Sequence, residues 1–161
     1  MMNYLLGALG IGYYSSRPLT SLSKKEITRI TFLVKWYCRY ELGVNPRRPV
    51  PQVKAYPNPH DGNYYGQYDP SNNCIEIYPD ECRTLGQYTS TLIHEYTHYL
   101  QPIASKYYKL LKEHGYDNHP FEIEARDNER THNRRALNYL RQNMKSWFLF
   151  ISYWYCGGLV C

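Results

Sequence analysis

Between residues 45 and 51 the chain reads Asn-Pro-Arg-Arg-Pro-Val-Pro, and no α-helix can run through that stretch. Each proline removes a backbone donor and clashes with the turn before it. The stretch therefore divides the sequence. Before it, Ser23 and Glu26 have the spacing of a capping box, with Leu22 and Ile27 placed as a hydrophobic staple. Ile27, Ile30, Val34, Tyr37 and Cys38 follow at helical spacing, and Gly43 supplies a stop. After it come three short extended segments, Gln52–Tyr56, Tyr64–Tyr68 and Cys74–Tyr78, each bounded by Pro, Gly, Asn or Asp. Ile75 and Ile77 alternate with their neighbours as in a strand with one buried face. The turn residues Asp69 to Asn73 predict that the second and third segments pair as an antiparallel hairpin. A helix over Thr84–Gln101 follows, with Leu85, Tyr88, Leu92, Tyr96 and Tyr99 as its apolar stripe and Pro102 as its stop. Another runs from Ile103 to His114 and ends at Gly115. Pro120 suits the first turn of a fourth, which buries Ala136, Leu137, Leu140, Met144, Trp147 and Phe148. Helix, short strands, then helices predict an α+β domain with a short antiparallel or mixed sheet.

With 161 residues, 43% of them apolar, the chain suits one domain over its whole length, and the composition excludes a disordered chain. No fixed period points to a solenoid or coiled coil. Tyrosine is the outlier at 19 residues, and it suits cores and clefts alike. The net charge is +5, concentrated between Arg17 and Lys54, while Asp61 to Glu95 is acidic. Such asymmetry could steer a nucleic acid, but solvated helix faces are the simpler expectation. The five cysteines include no C-x-x-C pair and read as reduced, small hydrophobes. The apolar stretch near Met1 has no positively charged region before it, so no signal peptide is expected. The uncharged segment Trp147–Cys161 is too short to span a bilayer as a helix. Residues 1–20 and 147–161 read as apolar terminal segments, without a transmembrane anchor. Size and character would fit a phage- or mobile-element-encoded protein of the cytoplasm.

The chemistry sits in the second helix, at His94-Glu95-Tyr96-Thr97-His98. One helical turn separates the histidines, so both imidazoles leave one face and can close on one metal ion. Neutral imidazoles suit Zn²⁺. Glu95 lies beside that ligand plane, where a carboxylate can take a proton from metal-activated water. A hydrolytic site needs a third protein ligand, and His114, His119, Glu122 and Glu124 are the candidates. On a helix, Glu122 and Glu124 point about 200° apart, so only one can face the metal. Glu122 shares its face with Ala125, Arg126 and Glu129, and a small Ala125 would let the two helices approach closely.

His94-Glu95-Tyr96-Thr97-His98 followed by Glu122-Ile123-Glu124-Ala125 resembles the gluzincin metallopeptidases. The E-x-x-A spacing of Glu122 and Ala125 is similar to that of ImmA/IrrE-type peptidases. The resemblance covers roughly residues 74 to 130. It implies a zincin-like fold and a peptide or protein substrate, with zinc held by His94, His98 and Glu122 and Glu95 as catalytic base. It also implies that an edge strand, here Cys74–Tyr78, holds the substrate backbone by strand addition. His119, Tyr116 and Tyr65 are the candidates to stabilise the oxyanion. Families of this type carry Asp or Asn after the alanine to orient a ligand histidine; this chain has Arg126. His114-Gly115 resembles instead the SprT-like, DNA-associated metalloproteases, whose third ligand is a histidine. A third expectation is a zincin-fold binding protein without hydrolytic activity.

Overall fold

The computed structural model describes residues 15–59, 64–102 and 104–156, with the side chains of 104, 105 and 145–156 outside the described set. Helix α1, Lys24–Glu41, starts where the capping box places it. Glu26 N donates to Ser23 Oγ at 3.3 Å, and Ser23 N donates to Glu26 Oε2 at 2.8 Å. The helix ends at Leu42, and Gly43 follows at a φ of 91°, the left-handed conformation that glycine adopts without steric cost.

Three strands form a mixed sheet: β1 (Gln52–Ala55), β2 (Gly66–Asp69) and β3 (Cys74–Ile77), in the order β1-β3-β2. The hairpin is present, with β2 antiparallel to β3 and Gly66 opposite Ile77. Asp69 closes its turn by accepting from Ser71 N, Ser71 Oγ and Asn72 Nδ2. β1 runs parallel to β3, with Gln52 opposite Cys74. The expectation that the third segment is an edge strand is corrected here. β3 lies in the centre, with Cys74, Ile75 and Ile77 all buried, and the edges are β1 and β2. A strand paired on both sides has no free backbone to offer a ligand.

Helix α2, Leu85–Leu100, is capped by Thr84, whose side chain accepts from Gln87 N. It is buried on more than its apolar stripe, because Thr89, Ile93, Glu95 and Thr97 are inside as well. The sheet and α1 cover one side, and α4 covers another. Helix α3 spans Ala104–His114, and helix α4 spans Pro120–Cys156 with Pro120 in its first turn. Ala125, Ala136, Leu137, Leu140 and Met144 of α4 are buried, and the full burial of Ala125 fits a close approach to α2. The expected burial of Trp147 and Phe148 falls on side chains outside the described residues, as do residues 1–14 and 157–161. From the N-terminal segment, Leu19 reaches the core. Cys38, Cys74 and Cys82 are buried free thiols, as their reading as small hydrophobes expects. Among the described residues no helix is long and apolar enough to cross a membrane.

Tyrosines join the proline-rich connector to α2. Tyr96 OH donates to Gly43 O at 2.9 Å, and Tyr99 OH accepts from Asn45 N at 3.0 Å. Their rings are fully buried while the hydroxyls satisfy a backbone that has few partners of its own.

Gly66 lets β2 lie against both its neighbours. A Cβ there would stand 2.7 Å from Glu76 O and 3.0 Å from Thr91 Cγ2 of α2. Gly66→Ala should therefore destabilise the fold by about 1–3 kcal/mol, read as a lower denaturant midpoint. An unchanged midpoint would show that β2 can lift off α2 without cost.

Candidate metal centre

His94 and His98 stand one turn apart on α2, and Glu122 approaches them from the first turn of α4. The two Nε2 atoms are 3.0 Å apart. Glu122 Oε2 lies 3.3 Å from His94 Nε2, and Glu122 Oε1 lies 3.5 Å from His98 Nε2. All the ligand atoms fall within 4.8 Å of one another, so the three side chains form a group that could hold a metal ion.

The other nitrogen of each ring decides what the facing pair can do. His94 Nδ1 is 2.5 Å from Glu129 Oε1, and the second oxygen of that carboxylate accepts from Ser90 Oγ at 2.9 Å. His98 Nδ1 is 2.8 Å from Gln101 Oε1. Gln101 is oriented by its own amide, which donates to Phe121 O and Glu124 Oε2. Both partners are acceptors, so each Nδ1 carries a proton and the two Nε2 atoms are left facing each other and Glu122, where a shared proton or a metal ion can lie between them. Two lone pairs at that distance repel unless a positive charge lies between them. Glu122 Oε2 adds to the demand, being buried without a hydrogen-bond partner.

Charge is tuned accordingly. Burial works against a cationic His94, but the carboxylates of Glu122 and Glu129 outweigh it and push its pKa up to about 10. Burial and the charge of His94 hold His98 below its ordinary value. Burial would raise Glu122, yet His94, His98 and the Tyr107 hydroxyl beside it bring it down to about 2, so it stays ionised. Glu122 supplies the buried negative charge of the group.

Glu95 is buried in the same cleft, where burial pushes its pKa up to about 7. The backbone N–H of Tyr68 on β2 holds it from the strand side. The cleft has a volume of about 330 Å³, within the range of small-ligand sites. β2 flanks it through Gly66, Gln67 and Tyr68, and a neighbouring hollow continues past His94 and Glu95 along Tyr64 and Tyr65.

The remaining sequence candidates lie elsewhere. His114 is exposed at the end of α3, beside Glu113. Glu124 is exposed and accepts from Gln101. His119 is fully buried: its Nδ1 accepts from Phe121 N at 3.1 Å, and its Nε2 donates to Tyr107 O at 3.0 Å. Both nitrogens are occupied at the helix entry, so the expectation of His119 as a ligand or oxyanion donor is corrected. Tyr116 lines the cleft beside Glu122, and Tyr65 lines only the adjoining hollow. Tyr107, which the sequence did not single out, donates its hydroxyl to Glu122 Oε1 at 3.1 Å.

Glu129 was legible only as a neighbour of Glu122 on one helix face, two turns further on. Arg126 donates to Asp117 O. Glu129, one turn later, is bonded to His94 Nδ1. Gln101 carried no signal beyond its place before the helix-ending proline. Compared with protein-family models, with curated proteins and with solved structures, the chain matches none.

Glu129→Gln should weaken divalent-metal binding by about 10- to 100-fold while leaving the helical circular-dichroism signal intact. Competition against a chromophoric chelator reads this directly. Equal affinities would mean that the His94 tether does not support metal binding.

Proposed function

We propose that this chain is a zinc-dependent peptidase of zincin-like fold, with His94, His98 and Glu122 as the zinc ligands and Glu95 as the catalytic base. The observation that carries the reading is the convergence of three donors, with the two Nε2 atoms 3.0 Å apart, each 3.3 or 3.5 Å from a different oxygen of Glu122, and both imidazoles tethered through Nδ1. Tetrahedral zinc with bonds of about 2.0–2.2 Å separates its ligands by about 3.3–3.5 Å. The donors are nitrogen and carboxylate oxygen, with three protein ligands and no cysteine, the composition of catalytic rather than structural zinc sites.

When bound, zinc supplies Lewis-acid chemistry, polarising a peptide carbonyl and bringing the pKa of water close to neutrality. The chain's own groups do the rest. Glu95, held near pH 7 by burial, is suited to take a proton from water and return it to the departing amine. Glu122 stays charged and leaves proton transfer to Glu95. Tyr107 and Tyr116 remain protonated donors at the cleft: burial raises both phenols, as does the Glu122 charge, with Tyr116 reaching about 12. The Tyr107 hydroxyl is committed to Glu122 Oε1 at 3.1 Å, so it holds the proposed ligand carboxylate in place.

Substrate backbone would lie along β2, the strand whose outer edge is free of the sheet and borders the cleft. Main-chain pairing there would hold an extended peptide across the metal-binding group. This moves the docking strand from the buried Cys74–Ile77 to Gly66–Asp69. The DNA-associated alternative rested on His114 as ligand, and the exposed position of His114 removes that support.

Zinc-loaded protein should cleave members of a diverse peptide library, and Glu95→Gln should retain zinc while losing about 10²–10⁴-fold in rate. Stoichiometric zinc without any cleavage would favour a binding protein built on the same site.

A further inference from the structure

The wall of the cleft carries a positive charge with no counterion. Arg48, from the proline-rich connector, is the one arginine or lysine lining the cleft beside Gln101 among the described residues. It is half-buried and held on several sides. Its Nη1 donates to Tyr68 OH at 2.8 Å, and its Nη2 donates to Gln101 O at 2.5 Å. The guanidinium carbon lies 5.7 Å from the centre of the Tyr68 ring and 6.0 Å from that of Tyr99. These partners are themselves fixed. Tyr68 OH donates to Asn73 Oδ1, and the Gln101 side chain is bonded to His98, Phe121 O and Glu124.

None of those contacts is a carboxylate, and no described acidic residue forms an ion pair with Arg48. A guanidinium has five N–H donors. The protein uses two, both on neutral acceptors. Desolvating such a cation without an anion is unfavourable, and its planar fork is preformed for a carboxylate. Pro70, Pro102, Tyr108 and Phe121 also line the cleft, whose carboxylates, Glu95 and Glu122, belong to the metal-binding end. Gln101 also sets the distance: its carbonyl holds Arg48 while its side chain holds His98. The anion seat and the metal-binding group are therefore joined through a single residue.

We propose that Arg48 is the anchor for a substrate carboxylate, and that the substrates are peptides bearing one near the bond presented to the metal-binding group. The carboxylate is either the peptide's own C-terminus or an Asp or Glu side chain. This rests on the peptidase reading above for the word substrate, but the anion seat itself does not depend on turnover.

The test uses short N-acetylated peptides made in three forms: free acid without acidic side chains, the same sequence amidated, and an amidated version containing Asp. Binding is measured calorimetrically to zinc-loaded Glu95→Gln protein, and kcat/KM is measured with the unmutated protein. The account expects at least one carboxylate form to bind, and to be cleaved, about tenfold or more better than the plain amide. Which form does so identifies the source of the carboxylate. Arg48→Gln should bring that ratio close to one, with Arg48→Lys intermediate, since the charge remains and the fork is lost. Equal binding of all three forms overturns the proposal, as does a preference that survives in Arg48→Gln, because zinc alone would then be taking the carboxylate. Discrimination in binding without cleavage by the unmutated protein upholds the anion seat and overturns the peptidase reading. Cleavage without discrimination does the reverse.

Discussion

The two hydrogen bonds to the Nδ1 atoms of His94 and His98 decide the character of the centre. A histidine pair on a helix is commonplace, and untethered rings at that spacing can rotate, protonate and separate. Here Glu129 and Gln101 fix each ring's tautomer and aim both Nε2 atoms at one point, next to the buried Glu122 carboxylate. A positive charge, whether a proton on His94 or a metal ion, is what lets the two Nε2 atoms stand 3.0 Å apart. That preorganisation requires rigid supports, and each support is a helix or its end: α2 for the rings, the α2 terminus for Gln101, and α4 for Glu122 and Glu129. Helix α2 can serve because it is packed on several faces, and Ala125 of α4 is fully buried.

The abundance of tyrosine acquires a physical meaning in this setting. A short, proline-broken connector has few backbone partners, and the hydroxyls of buried tyrosines on α2 provide them. The same chemistry continues into the cleft, where Tyr68 steadies Arg48 and Tyr107 touches Glu122. One residue type thereby fills the core with rings and lines the cleft with donors.

Local signals were the readable ones. The capping box at Ser23, the Asp69 turn, the amphipathic α2 and the paired histidines each depend on residues a few positions apart, and each formed as its chemistry dictates. Glu122 was legible as one of several candidates, because helix geometry narrows the choice without closing it. Strand order was not legible: Cys74–Ile77 alternates as a half-buried strand would, and only the parallel pairing with Gln52–Ala55 puts it in the centre. His119 showed the opposite failure, looking like a ligand by type while its ring is consumed in starting α4. Glu129, Gln101 and Arg48 act through partners 35, 3 and 53 residues away, and only Gln101 is near in sequence. Its signal was masked by its ordinary role at a helix end.

X-ray absorption at the zinc edge of the stoichiometrically loaded chain reads directly the atoms that surround the bound ion. The account predicts two imidazole nitrogens at about 2.0–2.1 Å with oxygen completing the shell, and one imidazole fewer after His98→Ala. Sulfur at about 2.3 Å from Cys74 or Cys82, or an ion that keeps both imidazoles when His98 is gone, would contradict it.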